Sequence, residues 1–212
     1  MNQSEAIRGE VVQLVREHVV VDSYDVVHGV TFDGRRLVVA GDYRLFRVAP
    51  DSGRDVDELE TFPHRGGLAY DGKHLWQHTE DEFQQLDPRT ALVVRAVAPP
   101  LDGVTGLECI GHDLLILHAG GRSLARVEIF DGTVVSQFET EAPLRGLGWM
   151  GRGLWSATEG EVVRLDPASG RLLARVALPA GIEVCDLTAD AEGLLWFVDG
   201  GSSAVRALAL PR

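Results

Sequence analysis

Residues 26–41, VVHGVTFDGRRLVVAG, read as strand, tight turn and second strand, and the pattern returns four more times. Residues 64–80 are HRGGLAYDGKHLWQHTE and residues 104–120 are VTGLECIGHDLLILHAG. Residues 144–160 are LRGLGWMGRGLWSATEG and residues 184–201 are VCDLTADAEGLLWFVDGG. The glycine before the first apolar residue stands at Gly29, Gly67, Gly106 and Gly146, with Asp186 in the fifth copy, at intervals of 38, 39, 40 and 40. The leucine after the turn stands at Leu37, Leu75, Leu114, Leu154 and Leu195, at intervals of 38, 39, 40 and 41. Two landmarks that keep phase through five copies define a repeat of roughly forty residues, the signature of a repeat architecture.

Each copy supplies four short β segments. Strand A (GVTF, GLAY) closes in a turn such as Asp33-Gly34 or Asp71-Gly72, which suits a tight hairpin into strand B (LVVA, LWQH). Strand C (RLFRV, EFQQL, SLARV, EVVRL) ends in turns such as Asp87-Pro88 and Asp166-Pro167, and strand D (ALVVRAV, TVVSQFE, RLLARVAL) follows. A helical repeat does not fit segments this short, this rich in β-branched residues and this regularly broken by Gly and Pro. Four antiparallel strands per repeat predict an all-β, five-bladed β-propeller, with an open stack of sheets as the alternative. Blades begin near 26, 64, 104, 144 and 184. The fifth copy ends after its strand C, and residues 10–24 carry a strand-like run with no blade of its own. That run is expected to supply the outer strand of the last blade and close the ring, with residues 1–9 as a lead-in to a single domain.

Bulk composition narrows the partners. The 212 residues carry a net charge of −12, which disfavours a nucleic-acid backbone or an anionic membrane surface. Two cysteines, Cys109 and Cys185, are no disulfide framework. Residues 1–18 show no apolar signal-peptide core, so a cytoplasmic location is the expectation. A small-molecule ligand is the expected partner, with oligomeric state open.

Propeller geometry assigns places to the histidines. His74 and His112 fall in A–B turns at one end of the disc, and His18 in the N-terminal run. His28, His64, His78 and His118 fall at the other end, the top, where loops from rigid blades converge and ligands commonly bind. Imidazoles from three neighbouring blades could hold a divalent transition metal: His28, His78 and His118 as ligands, His64 as a fourth, and Glu80 or Glu108 as carboxylate partner. The spacing raises a register question. His78 follows Leu75 by three residues and His118 follows Leu114 by four, so the two face opposite ways in ideal strands. A polar, solvated mouth without metal is the alternative. Glu108 is a candidate general base if its carboxyl is desolvated. Arg145 and Cys185 occupy strand A entry positions on the same rim, Cys185 as a candidate nucleophile or a buried inert thiol. Trp76, Trp155 and Trp196 recur after the strand B leucine and are expected to pack between blades.

The blade grammar of GVTFDGRRLVV, GLAYDGKHLW, LDPRTALVV and LDPASGRLL resembles two propeller groups. One is the five-bladed glutamine cyclotransferase type of plants and bacteria, and the other is the streptogramin (virginiamycin B) lyase type, with more blades. TGLECIG, residues 105–111, looks like the cyclotransferase segment that places an acid before an apolar–Glu pair; Gly106 replaces that acid and Glu108 is retained. Gly66 stands where that family carries its active-site glutamate, a departure that argues against glutamine cyclisation. The histidine-rich mouth is nearer to the lyase group, whose resemblance implies metal-assisted ring opening. The resemblance implies a small-molecule enzyme with a metal-assisted lyase- or cyclase-type site at the mouth of the channel. A non-catalytic ligand- or protein-binding module is the other reading.

Overall fold

Short runs of apolar and β-branched residues broken by Gly, Pro and Asp can bury a face only by pairing edge to edge and stacking the resulting sheets. A computed structural model shows that outcome. It describes residues 13–19, 26–61, 66–98, 101–151, 153–202 and 204–210. Five four-stranded antiparallel sheets form the blades of a β-propeller. Blade 1 holds β2 (Gly29–Phe32), β3 (Leu37–Ala40), β4 (Arg44–Val48) and β5 (Asp55–Glu60). Blade 2 holds β6 (Gly66–Tyr70), β7 (Leu75–His78), β8 (Phe83–Leu86) and β9 (Val93–Val97). Blade 3 holds β10 (Gly106–Ile110), β11 (Asp113–His118), β12 (Ser123–Glu128) and β13 (Val134–Glu139). Blade 4 holds β14 (Arg145–Met150), β15 (Gly153–Thr158), β16 (Glu161–Leu165) and β17 (Leu172–Ala177). Blade 5 takes β18 (Val184–Ala189), β19 (Leu194–Asp199) and β20 (Ala204–Ala209) from the C-terminal end, and its outer strand is β1 (Gln13–Val19).

The N-terminal strand therefore closes the ring. β1 pairs antiparallel with β20 from Gln13↔Ala209 to Val19↔Ala204. The lead-in at residues 1–9, and the expected strand residues on either side of β1, lie outside the described residues. The closure reaches blade 1 through side chains. His18 stacks on Trp196 at 5.4 Å and 22°, and its Nε2 sits 3.0 Å from the Pro50 carbonyl oxygen. Arg16 donates to the same carbonyl at 3.2 Å.

Apolar clusters fill the seams between neighbouring blades. Trp76, Phe83, Leu107 and Ile116 lie in the seam between blades 2 and 3; Leu115, Leu117, Leu147 and Leu154 lie in the next. Trp76 and Trp196 are fully buried, and Trp155 is nearly so, which makes them inter-blade packing. Two of them are also tethered. Trp76 Nε1 donates to Asp71 at 2.8 Å and Trp196 Nε1 to Asp190 at 2.7 Å, so an acid in the A–B turn satisfies a buried indole N–H. The Asp33-Gly34 and Asp71-Gly72 turns are tight hairpins in which Gly34 and Gly72 adopt φ of +89° and +91°.

The inner strands approach so closely that side chains are excluded near the axis. A Cβ built on Gly67 would lie 2.4 Å from the Leu107 nitrogen, and one on Gly146 only 2.6 Å from the Asp186 Cα. The recurring glycine, at Gly67, Gly106 and Gly146, is thus what lets neighbouring inner strands approach this closely.

Candidate functional site

Antiparallel strands direct successive N–H groups to opposite edges, so each innermost strand turns some donors away from its own blade. Buried donors require acceptors. Two carboxylates supply them. Asp186 Oδ2 accepts the Val30 N–H at 3.0 Å and the Leu68 N–H at 3.2 Å, so one side chain of blade 5 ties blades 1 and 2. Glu108 accepts its neighbour Cys109 N–H on Oε1 at 2.8 Å and the blade 4 Trp149 N–H on Oε2 at 2.7 Å. Asp186 is fully buried and Glu108 is 9% exposed. Burial pushes the Glu108 carboxyl up to about 7 against the pull of its two N–H donors. Burial likewise holds the Asp186 carboxyl well above the usual range, with the Glu108 charge acting in the same direction.

The sequence places Glu108 in the channel as a candidate base. The structure gives both of its oxygens backbone donors and sets it as a bridge between β10 and β14. Asp186 is the residue whose role sequence reasoning missed. The signal was present: it is the one non-glycine at the five-fold landmark, and its side chain occupies the axis that the glycines keep clear.

The top rim separates the remaining candidates. His28 Nε2 lies 2.7 Å from Asp42 Oδ1, within its own blade. His78 ends β7 with 8% exposure, its ring tilted against Phe83 at 5.1 Å. His118 ends β11 with 6% exposure. Burial lowers the pKa of both, which keeps the rings neutral. Glu80 sits exposed in the turn between β7 and β8. His64 lies outside the described residues. Among the described residues no three His, Cys, Asp or Glu side chains come together as a group able to hold a metal. The set of His28, His78 and His118 with Glu80 or Glu108 is thus not assembled, because His28 is engaged by Asp42 and Glu108 by backbone amides.

Cys185 packs into the seam between blades 5 and 1, whereas Arg145 stands at the top of the seam between blades 4 and 5. A cleft of about 570 Å³ opens there, lined by Arg145, Thr158, Glu159, Leu178, Ile182 and Glu183 among others. Arg145 Nη1 pairs with Glu183 Oε1 at 2.6 Å on its lip. Asp199, 2% exposed, fixes the approach of the chain to β18: it accepts the Glu183 N–H at 3.2 Å and the Gly201 N–H at 3.1 Å and pairs with Arg206 at 2.5 Å. Glu183 is therefore presented from a rigid base. Burial, and then the Glu183 charge, push the Cys185 thiol up, with Arg145 opposing. A thiol raised in this way stays protonated near neutrality and is a poor nucleophile.

Fold and rim together define a five-bladed β-propeller with a tightly packed axis and a polar cleft at its top. Comparison with solved structures finds the same architecture in glutaminyl cyclase from Myxococcus xanthus, with TM-score 0.78 and 16% identity over 94% of this chain and 96% of that one. The WD40 repeats of RRP9 align with TM-score 0.63 and 12% identity, over 94% of this chain and all of that one. The WD40 propeller domain of Doa1 aligns with TM-score 0.60 and 12% identity, over 91% of this chain and 67% of that one. At these identities the likeness is one of fold. No family model matches the chain, and no curated protein matches it by sequence.

Proposed function

We propose that this propeller is a small-molecule enzyme of cyclase or lyase type, working in the cleft at the top of the seam between blades 4 and 5. The observation that carries the reading is the Arg145–Glu183 pair, two opposite charges 2.6 Å apart on the lip of a cleft of about 570 Å³. In cyclase- or lyase-type chemistry a proton leaves one atom of the substrate while negative charge builds on another. Glu183 is placed to take the proton and Arg145 to stabilise the developing anion. The fold shared with a glutaminyl cyclase adds support for this reaction class. Leu178, Ile182 and Val184 give the cleft an apolar wall for the body of the ligand.

The test is turnover against a panel of glutaminyl peptides and cyclic lactones, followed by mass spectrometry. R145A and E183Q should each lower kcat/KM by about 100-fold, in the range for removing one acid–base or charge-stabilising group, with folding unchanged. Turnover that survives both substitutions would refute the assignment. A second reading, ligand capture without chemistry, is favoured by a specific observation: the Glu108 oxygens are occupied by N–H donors and the Cys185 thiol is held protonated. Binding of panel members without turnover, weakened by R145A, would establish it.

A further inference from the structure

We propose that His78 and His118 form a buried two-histidine site for a borderline divalent metal (Zn2+, Co2+, Ni2+ or Cu2+) at the top of the seam between blades 2 and 3. The inference stands apart from the cleft between blades 4 and 5. It begins from the register of the two strands. Neither β7 nor β11 carries a bulge over its pairing with the next strand, so side chains alternate strictly. On β7, Trp76 faces blade 3, and His78, two residues on, shares that face. On β11, Leu114 and Ile116 face blade 2, and His118 continues that row. The one-residue offset between the two histidines is what turns both into the same seam, from opposite walls.

Backbone contacts bring the two strand ends to one level. His78 is paired with Gly66. A Cβ built on Gly66 would lie 3.1 Å from the Val104 carbonyl oxygen and 3.6 Å from the Thr105 Cα. Thr105 in turn donates its N–H to the Leu117 carbonyl at 2.7 Å, one residue before His118.

The unpaired ring nitrogens then point to a ligand. Nδ1 of His78 and Nε2 of His118 are buried with no hydrogen-bond partner among the described residues. Buried polar atoms in folded proteins are nearly always satisfied, and an exception calls for an unseen ion, water or functional role. Burial favours the neutral ring at both positions, the form that carries the lone pair a metal takes. Imidazole selects borderline divalent metals over Ca2+ and Mg2+. Phe83 and Val104 give the seam an apolar wall, and a net charge of −12 favours cations. His28 is not part of the site, because Asp42 engages it.

The experiment uses untagged full-length chain stripped with a chelator and titrated with Co2+, read by visible absorption and calorimetry. The expected result is about one Co2+ per chain, with affinity falling at least tenfold in H78N and in H118N and less than twofold in H28A. Because a buried substitution can unfold the seam, Zn2+ is also added to unmodified protein labelled with 15N-histidine. Shifts confined to Nδ1 of His78 and Nε2 of His118 support the site. Unmoved nitrogens, or Co2+ binding that persists in both variants, overturn it and leave water as the partner of these atoms.

Discussion

Glu108 is a carboxyl set between two innermost strands, and its protonation is tied to folding. Its ordinary value of 4.5 rises to about 7 in the folded chain because burial penalises the charged form more than two N–H donors repay it. The folded state therefore binds more protons than the unfolded state between those values. Stability from this group is fully present below about pH 4.5 and is lost as pH rises through about 7. The Glu108 share of the unfolding free energy is expected to fall by about 3 kcal/mol between pH 5 and 8, and E108Q, which cannot ionise, should remove that share and leave the one from the raised Asp186 carboxyl. Urea melts across the range check this; a slope that is unchanged in E108Q would refute it. Asp186 invites a different substitution. D186A strands the Val30 and Leu68 N–H groups at the axis and should cost about 2–4 kcal/mol at constant pH. D186N keeps one acceptor oxygen and should cost less, a ranking that denaturant unfolding measures directly.

At the scale of elements, strand order and ring closure were readable because they rest on period-two alternation and on turns with strong local chemistry. Asp33-Gly34 and Asp71-Gly72 mark hairpins whatever surrounds them, and the missing outer strand of the last repeat pointed to the N-terminal run. Side-chain partners were not readable in the same way. His78 and His118 look mismatched when each is read within its own blade, yet the same offset faces them into one seam. Trp76 and Trp196 find an Asp in their own A–B turn, while Trp155 follows a turn that has Met150 in the corresponding place. Glu108 was readable as a base only on the condition of desolvation, and one of the two donors that occupy it, the Trp149 N–H, belongs to a strand some forty residues away. β1 shows how such long-range contacts add up. His18 stacks on Trp196 and contacts the Pro50 carbonyl, joining the closing strand to blade 1. H18A should lower stability by about 1–2 kcal/mol, the usual range for losing an aromatic pair and a polar contact, and should speed amide exchange in β1 ahead of the other blades. Exchange that rises equally in all five blades would show that β1 is no separate latch.

The whole molecule is a ring in which each blade packs on its two neighbours and, among the described residues, only the axial Asp186 reaches past one, from blade 5 to blade 2, so where the chain opens matters less than that the ring is closed. Ala209 and Gln13 are directly paired, which puts the end of β20 beside the start of β1. A linker of a few residues would join them as an ordinary hairpin. The C–D turn of blade 3 offers a new opening: Phe130 is 77% exposed there, on the lower face away from the cleft. A permuted chain beginning at Asp131 would start with β13 and end with β12. It would close blade 3 with an N-terminal outer strand, as the natural chain closes blade 5. Because the same pairs, seams and axial carboxylates are retained, its unfolding free energy should lie within about 1 kcal/mol of the parent, the scale of a changed loop-closure entropy. Deleting β13 from that permutant removes the latch and leaves β12 as a bare edge, and such a chain should unfold at far lower urea or aggregate. A permutant that folds only when opened at the natural position would mean that the blade 5 seam, with Asp186 at its centre, must form before the others, and the ring would then have a preferred point of assembly.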